Sequence, residues 1–492
     1  MQRAFFLVTI ALLIAAQAYL RFQSDIIQDC AWFIDVAERL LNGQTLYADI
    51  KEVNPPLGMW MIVPIVWLAK ALSSSAVSTT YITLLGISAG SLILCNRYLR
   101  LNGVFQSVHR HLFVIASVIA TFYFPAAFFA EREHFIILLF LPWIFLRALP
   151  ATQTNPPSYE RLFVGALAGI AICIKPQSLF APAFVELVLY ARNRKINEIL
   201  APENLGAAAV AIIYTASVIF FTPLFITQMI GLGAKAYVPF YGYPSYIIAL
   251  NARWSIIALL IATVITIRLK TLKADTNVVA LLMAASIGYL LSYAVQLKGF
   301  TYQVMPANIL TWLTCAAGAV MLWQIEKKLS VHIFAAIAVG GLVLSDVPQT
   351  YVNPYTSIST LLANNAPNAK SIFIASTRLD DGFPFVQKRN LMWASRLPTQ
   401  WLTPYVASKW QSGSLPQDDI VNNAMEWTVS DLINMKPDIV MIDIGRDQAY
   451  VPGGSFDYIK FWQNDPRFSE VWHHYEYRET ARDLAVYTLR QK

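Results

Sequence analysis

DCAWFIDVAERLLNGQTLYADIKEVNPPL, residues Asp29 to Leu57, follows one apolar run and precedes the next, so it reads as a segment at a membrane surface. Asp29 stands ahead of an apolar rhythm in which Trp32, Phe33, Val36, Ala37, Leu40 and Leu41 return to one helix face. Asp35, Glu38 and Arg39 fall on the other face, and Asn42-Gly43 is a stop signal. The spacing predicts a short amphipathic helix lying along a bilayer. A carboxylate at its start has two readings: an N-cap, or a reactive group held at the membrane–water boundary.

Working outward, the whole chain has the composition such a segment needs. Of 492 residues 56% are hydrophobic and 14% charged, whereas a soluble chain carries roughly a quarter charged residues. The chain is therefore read as an integral membrane protein. The net charge of +7 sits mostly in short loops beside apolar runs, which is a topology signal and excludes a nucleic-acid footprint. Four cysteines and six histidines form neither a disulfide framework nor a zinc-type spacing.

Apolar runs fall near 4–20, 57–72, 79–95, 112–129, 135–149, 161–174, 178–191, 204–222, 253–269, 276–295, 306–323 and 331–345. The first is read as an uncleaved span, although Ala16-Gln17-Ala18 resembles a signal-peptidase site. If all twelve crossed, Arg97, Arg100 and Arg110 would face outside. The run 57–72 opens on prolines, contains Pro64 and ends on Lys70, so it is read as a juxtamembrane helix that does not cross. Eleven spans then remain. Fourteen cations, from Arg3 through Arg97, Arg147, Arg161, Arg192 and Lys195 to Lys327 and Lys328, lie on the cytoplasmic side. Four (Arg132, Lys175, Lys235, Lys298) lie in short external loops, which sets the N-terminus in and the C-terminus out. Beyond residue 345 the composition turns mixed, with strand-like SIFIAS (371–376), DIVMID (438–443), FSEVWHHYEY (468–477) and LAVYTL (484–489) and a helical pattern at 427–435. Residues 1–345 are thus a transmembrane domain and 346–492 a soluble α/β domain on the external, periplasmic side. No Gly-rich phosphate fingerprint opens a helix in that domain.

Several polar groups interrupt the apolar chain at its outer boundary. Glu131-Arg132-Glu133-His134 sits between two runs, and ionisable groups there are expensive unless they act or pair. Lys175 stands at the turn of a hairpin and Lys298 in the loop Gln296 to Gln303, where either can hold a phosphate as a point charge or simply snorkel. The loop Ala236 to Tyr246 is dense in aromatics; Tyr241 and Tyr243 there, and Tyr302 beyond Lys298, are candidates to line a sugar, although an interfacial belt uses the same residues.

An acidic residue, an interfacial helix, a glycine fourteen residues on (Gly43), Tyr47-Ala48-Asp49 and then Pro55-Pro56-Leu57 resemble the first external loop of the GT-C glycosyltransferases. These polytopic enzymes take sugars from polyprenyl-phosphate carriers; protein O-mannosyltransferases and the aminoarabinose transferases of lipid A are examples. The resemblance covers about residues 1–345 and is specific mainly in that loop. It implies a membrane all-α, GT-C-like fold of about 11 transmembrane helices with an external juxtamembrane helical loop, in a bacterial inner membrane. It implies a polyprenyl-phosphate-linked sugar donor and a glycan, lipid or protein acceptor hydroxyl. Asp29 takes the place of the catalytic base, where relatives often have Asp-Glu and this chain has Asp29-Cys30. Glu131 or Glu133 would supply the missing acid. Lys298, Lys175 or Arg132 would meet the donor phosphate, and Tyr302, Tyr241, Tyr243 and His134 would line the substrate. Some relatives use a divalent cation; one acid in place of two argues against an obligatory metal here, and no cofactor is expected. A transporter or flippase of polyprenyl-linked sugars is the alternative reading, against which stands the lack of an inverted repeat.

Overall fold

Long apolar stretches with few helix breakers dictate a mostly helical chain, and the computed structural model is one, with a small sheet towards the C-terminus. It describes residues 2–150, 156–326, 348–352, 362, 366–410 and 418–490. Two compact units emerge, each drawn from separated stretches: Met1–Ser24, Ser73–Ser217 and Tyr243–Tyr351 in the first, Asp25–Leu72, Val218–Gly242 and Val352–Lys492 in the second.

The first unit contains α1 (Gln2–Phe22). The stretch Asp25–Leu72 supplies α2 (Gln28–Leu41), α3 (Leu57–Trp60) and α4 (Val63–Ala71), which belong to the second unit. Back in the first follow α5 (Ala76–Asn102), α6 (Ser107–Phe122), α7 (Arg132–Arg147), α8 (Ser158–Ile174) and α9 (Phe180–Asn193). Next in the chain are α10 (Pro202–Phe221), α11 (Ile230–Ala236), α12 (Ser245–Thr271), α13 (Asn277–Gln296) and α14 (Met305–Glu326). Among the described residues six helices are long and apolar enough to cross a membrane: Ala4–Phe22, Ala76–Asn102, Pro202–Phe221, Ser245–Thr271, Asn277–Gln296 and Thr301–Glu326. The apolar runs near 112–129, 135–149, 161–174 and 178–191 form helices of 16, 16, 17 and 14 residues, short of the ~20 that a straight span needs. The run at 331–345, with Lys327 and Lys328, lies outside the described residues. Residues 57–72 form two short pieces, α3 and α4, and at 1.5 Å per residue neither reaches across ~30 Å of hydrocarbon.

Within the first unit α14 and, between its charged ends, α7 are apolar round most of their circumference and almost wholly buried, α14 lying against α6, α12 and α13. By contrast α10 and α12 present Ile212, Ile213, Phe220, Leu260 and Val264 outward, the surface expected of helices that face lipid. Small residues set the closest approaches. A methyl carbon on Gly165 of α8 would stand 1.9 Å from the Glu203 carbonyl oxygen of α10, and one on Gly288 of α13 2.5 Å from the Ala181 Cα of α9.

The second unit holds a five-stranded sheet: β1 (Ser371–Ala375), β2 (Met392–Trp393), β3 (Ile439–Asp443), β4 (Tyr475–Ala481) and β5 (Leu484–Leu489), in the order β2-β1-β3-β5-β4. The first three are parallel, and β5 runs antiparallel to β3 and β4. All five residues of β1 and of β3 are buried, which is why both read as unbroken apolar runs. The segment 468–477 is not one strand. Asp465 accepts the Arg467 backbone N–H and Pro466 opens a helix to Trp472, so the strand begins only at Tyr475. Nor is the sheet-bearing unit confined to residues beyond 345, because α2 joins it through named contacts. Arg39 donates to the carbonyls of Ser395 (2.9 Å) and Trp393 (2.6 Å), Gln387 donates to that of Ala31 (2.8 Å), and Lys388 pairs with Asp25 (2.7 Å).

Candidate functional site

In the first unit the site grows from the start of α7. A 3-10 turn at Ala126–Phe128 leads to Ala130 in the left-handed region (φ 78°) and to Glu131 in extended backbone, which makes Glu131 the N-cap residue of α7. Glu131, Arg132, Glu133 and His134 are then all buried, at 1, 9, 2 and 0% exposure. Such groups at the end of an apolar helix need partners. The Lys175 ammonium, delivered where α8 ends, bonds the Glu133 carboxylate and donates to Gln296 Oε1 at 3.3 Å from the end of α13. It also lies 5.7 Å from the centre of the Tyr302 ring. Burial pulls the Lys175 ammonium below the ordinary lysine range, and Glu133 pulls it back. His134 Nε2 stands 2.8 Å from the Thr121 carbonyl. A carbonyl only accepts, so Nε2 carries the proton, and Nδ1 is the buried acceptor.

The loop after α13 completes this end of the unit. Leu297 and Gly299 both take positive φ (51° and 73°), turning the chain so that Lys298 is buried at 9% exposure. Its carbonyl accepts the Tyr243 N–H at 2.8 Å, and burial draws its ammonium down to about 8. Aromatic rings follow in sequence: Tyr243 edge-on to Phe300 (5.5 Å), Phe300 stacked on Tyr302 (5.6 Å), and Tyr302 against Phe128 (5.9 Å). Tyr243 remains 47% exposed. Sequence reasoning missed Arg21. It is 1% exposed, donates to the Ala126 carbonyl at 2.7 Å and lies 5.0 Å from the Phe129 ring centre. Its only signal was a basic residue at the end of the first apolar run. His134, at 0% exposure, belongs to the packed interior under Phe129 rather than to an open lining.

Asp29 and Tyr241 belong to the second unit. Asp29 is not a cap: Ile27 is the N-cap residue of α2, and Asp29 is half-buried in the first turn. A carboxylate in that turn still favours the helix dipole. The helix is also less open than its periodicity predicts, since Cys30, Ala31, Trp32, Phe33, Ile34, Val36 and Ala37 are all buried. Asp35 is salt-bridged to Arg39 at 2.6 Å, and burial raises its carboxyl against that partner's pull. A second missed acid is Glu52, 1% exposed, which accepts from Trp32 Nε1 (2.6 Å) and from the Asn54 backbone and side-chain amides (2.8 Å each). Tyr241 is buried between Tyr237 and Tyr450, each 4.4 Å away, with its hydroxyl donating to the Thr377 carbonyl at 3.5 Å. It is a packing residue of the second unit and not an open sugar platform.

Chemically, the first-unit cluster offers an ammonium near neutrality (Lys298) beside a stack of rings, and an internal Lys–Glu pair that holds the end of three helices together. The Lys175 charge is already committed to Glu133, which weakens its claim to a phosphate. Among the described residues no three His, Cys, Asp or Glu side chains gather as a group that could hold a metal ion. Neither protein-family models nor curated proteins yield a match to this chain.

Proposed function

We propose that this chain is a GT-C-like glycosyltransferase that moves a sugar from a polyprenyl-phosphate carrier to an acceptor hydroxyl on the outer face of a bacterial inner membrane. The reading carries eleven spans, with the sheet-bearing C-terminal part outside. The observation that carries it is the collection of buried ionisable groups and aromatic rings at one end of an apolar helical unit, where the start of α7, the end of α8 and the loop after α13 meet. Charges at such a boundary are retained for function more often than for stability. Asp29, in the first turn of α2 and not its N-cap residue, is the proposed base.

In the proposed reaction the acceptor O–H proton passes to the Asp29 carboxylate while its oxygen bonds the anomeric carbon. The bond from that carbon to the phosphate oxygen breaks, and the lipid phosphate leaves with the electron pair. Lys298, with Arg132, meets the charge that develops there. Tyr302 and Tyr243 offer ring faces to the sugar or the isoprenoid. Lys175 and Glu133 are positioning residues, since each engages the other.

The test is envelope glycan and glycolipid composition in cells lacking this chain. One sugar should be missing, wild type should restore it, and Asp29→Asn should not. Asn cannot accept the proton, and losing a general base lowers turnover by roughly two or more orders of magnitude. Asp29→Asn should leave folded protein at wild-type levels. Restoration by Asp29→Asn would remove Asp29 from the chemistry. Carrier-linked sugar accumulating on the inner face would replace the transferase by a flippase.

A further inference from the structure

At the opposite ends of α7, α8 and α13 from the Glu133–Lys175 pair lies a cavity of about 580 Å³, within the size range of small-molecule sites. Arg147 closes α7 there, Arg161 opens α8, Arg192 closes α9, and Asp275 and Asn277 lead into α13. The floor is a chain of alternating charges. Arg147 pairs with Glu186 (2.7 Å) and Glu203 (2.9 Å), and Arg161 also pairs with Glu203 (2.7 Å). These four groups cancel one another, two cations against two carboxylates.

The walls differ from the floor. Arg192 donates to neutral oxygens, Asn277 Oδ1 at 2.5 Å and Thr276 Oγ1 at 3.4 Å, and Lys195 is exposed beside it. The wall carboxylates accept from amides: Glu198 from Asn193 Nδ2 and Asp275 from the Asn277 backbone N–H, each at 2.8 Å. Two cations and two carboxylates thus face the same space, each retaining electrostatic capacity. Leu146, Leu149 and Leu189 give that space an apolar side. A purely anionic guest would leave the wall carboxylates opposed by like charge. A guest with both signs satisfies all four groups.

We infer that this cavity binds a zwitterionic, amine-bearing phosphodiester, the phosphoethanolamine headgroup of a membrane lipid. Its phosphate lies at Arg192 and Lys195, its ammonium donates to Glu198 and Asp275, and its glycerol end runs along the leucines. Basic pockets among the ends of membrane helices are suited to lipid headgroups. The carboxylates add the discrimination, because a primary ammonium donates three hydrogen bonds and a trimethylated one donates none.

The experiment uses the purified full chain in detergent, titrated with dioctanoyl phosphatidylethanolamine, phosphatidylglycerol and phosphatidylcholine, with free phosphoethanolamine and inorganic phosphate as further arms. Binding is read by native mass spectrometry and by thermal shift. The ethanolamine lipid should bind saturably, roughly tenfold more tightly than the other two lipids, the size of effect expected for charge-assisted hydrogen bonds. Lys195→Ala should weaken it several-fold. Asp275→Asn should erase the preference for it over the glycerol lipid, and Glu198→Gln does the same test if the Asp275 variant fails to fold. Equal binding of phosphatidylglycerol, no saturable lipid binding, or a preference untouched by both carboxylate variants overturns the inference. Free phosphoethanolamine or phosphate binding as tightly as the lipid overturns the lipid as its source.

Discussion

Lys298 is buried, and its ammonium lies at about 8 for reasons of desolvation. The folded-state value is below the ordinary lysine value of ~10.4, so between those two the unfolded chain holds more protons. This residue's contribution to stability therefore rises with pH across that window. If Lys298 meets the donor phosphate, as proposed, donor binding should run the opposite way, with affinity falling as pH rises through about 8. Lys298→Arg, charged throughout, should flatten that profile while keeping part of the activity; Lys298→Ala should weaken donor use at every pH. An unchanged profile in Lys298→Arg would take the phosphate elsewhere. The other lysine makes a different prediction. Lys175→Ala strands the Glu133 carboxylate in a buried place, and removing one partner of such a pair costs about 3–5 kcal/mol. Lys175→Met with Glu133→Gln together should unfold at a higher temperature than Lys175→Ala alone, as a double-mutant cycle by thermal unfolding would read. That both residues carry charge at a boundary was legible in the sequence. Their pairing across 42 positions was not, because no periodicity links the end of α8 to the start of α7.

At the scale of elements, periodicity reported type well and boundaries less well. SIFIAS and DIVMID are the buried parallel strands β1 and β3, as their unbroken apolar runs require. The segment at 468–477 misled because Trp472 and its aromatic neighbours suit either period, and the decision fell to Asp465-Pro466 just ahead of it. Asp29 misled for a related reason. Where a helix starts depends on where the chain turns into it, and here that is Ile27. Glycines in the membrane helices carried a signal that apolar counting does not weigh. Gly165 and Gly288 allow backbones to meet where any Cβ would collide, whereas Gly86 of α5 has nothing within 4 Å of that position. Gly165→Leu and Gly288→Leu should each lower the unfolding temperature of the detergent-solubilised protein by several degrees, a loss of the order of 1–3 kcal/mol from overpacking. Gly86→Ala should leave it unchanged or raise it slightly, since alanine is the better helix former. Equal effects at all three positions would deny the close packing of α8 with α10 and of α13 with α9.

At the scale of the molecule, the two compact units are each assembled from three stretches, and that is where linear reading stops. The composition change near residue 345 marks where strands begin, yet α2, α3 and α4 join the strand-bearing unit from the far end of the chain. Sidedness is the consequence that can be measured. α5 has 27 residues, about 40 Å of helix at 1.5 Å per residue, enough for hydrocarbon and part of the headgroup layer. Ser74 and Ser107 flank it, both exposed, and all four native cysteines are buried. In a background with those four replaced, a cysteine at position 74 should react with an impermeant thiol reagent added outside intact cells. In the proposed orientation, which puts the cations Arg97, Arg100 and Arg110 on the cytoplasmic side, a cysteine at 107 should react only after permeabilisation. Labelling of 107 from outside would place α5 the other way up. Residues 57–72 would then have to cross, although α4 is only 9 residues long, so the eleven-span arrangement and the outward site that depends on it would both fall.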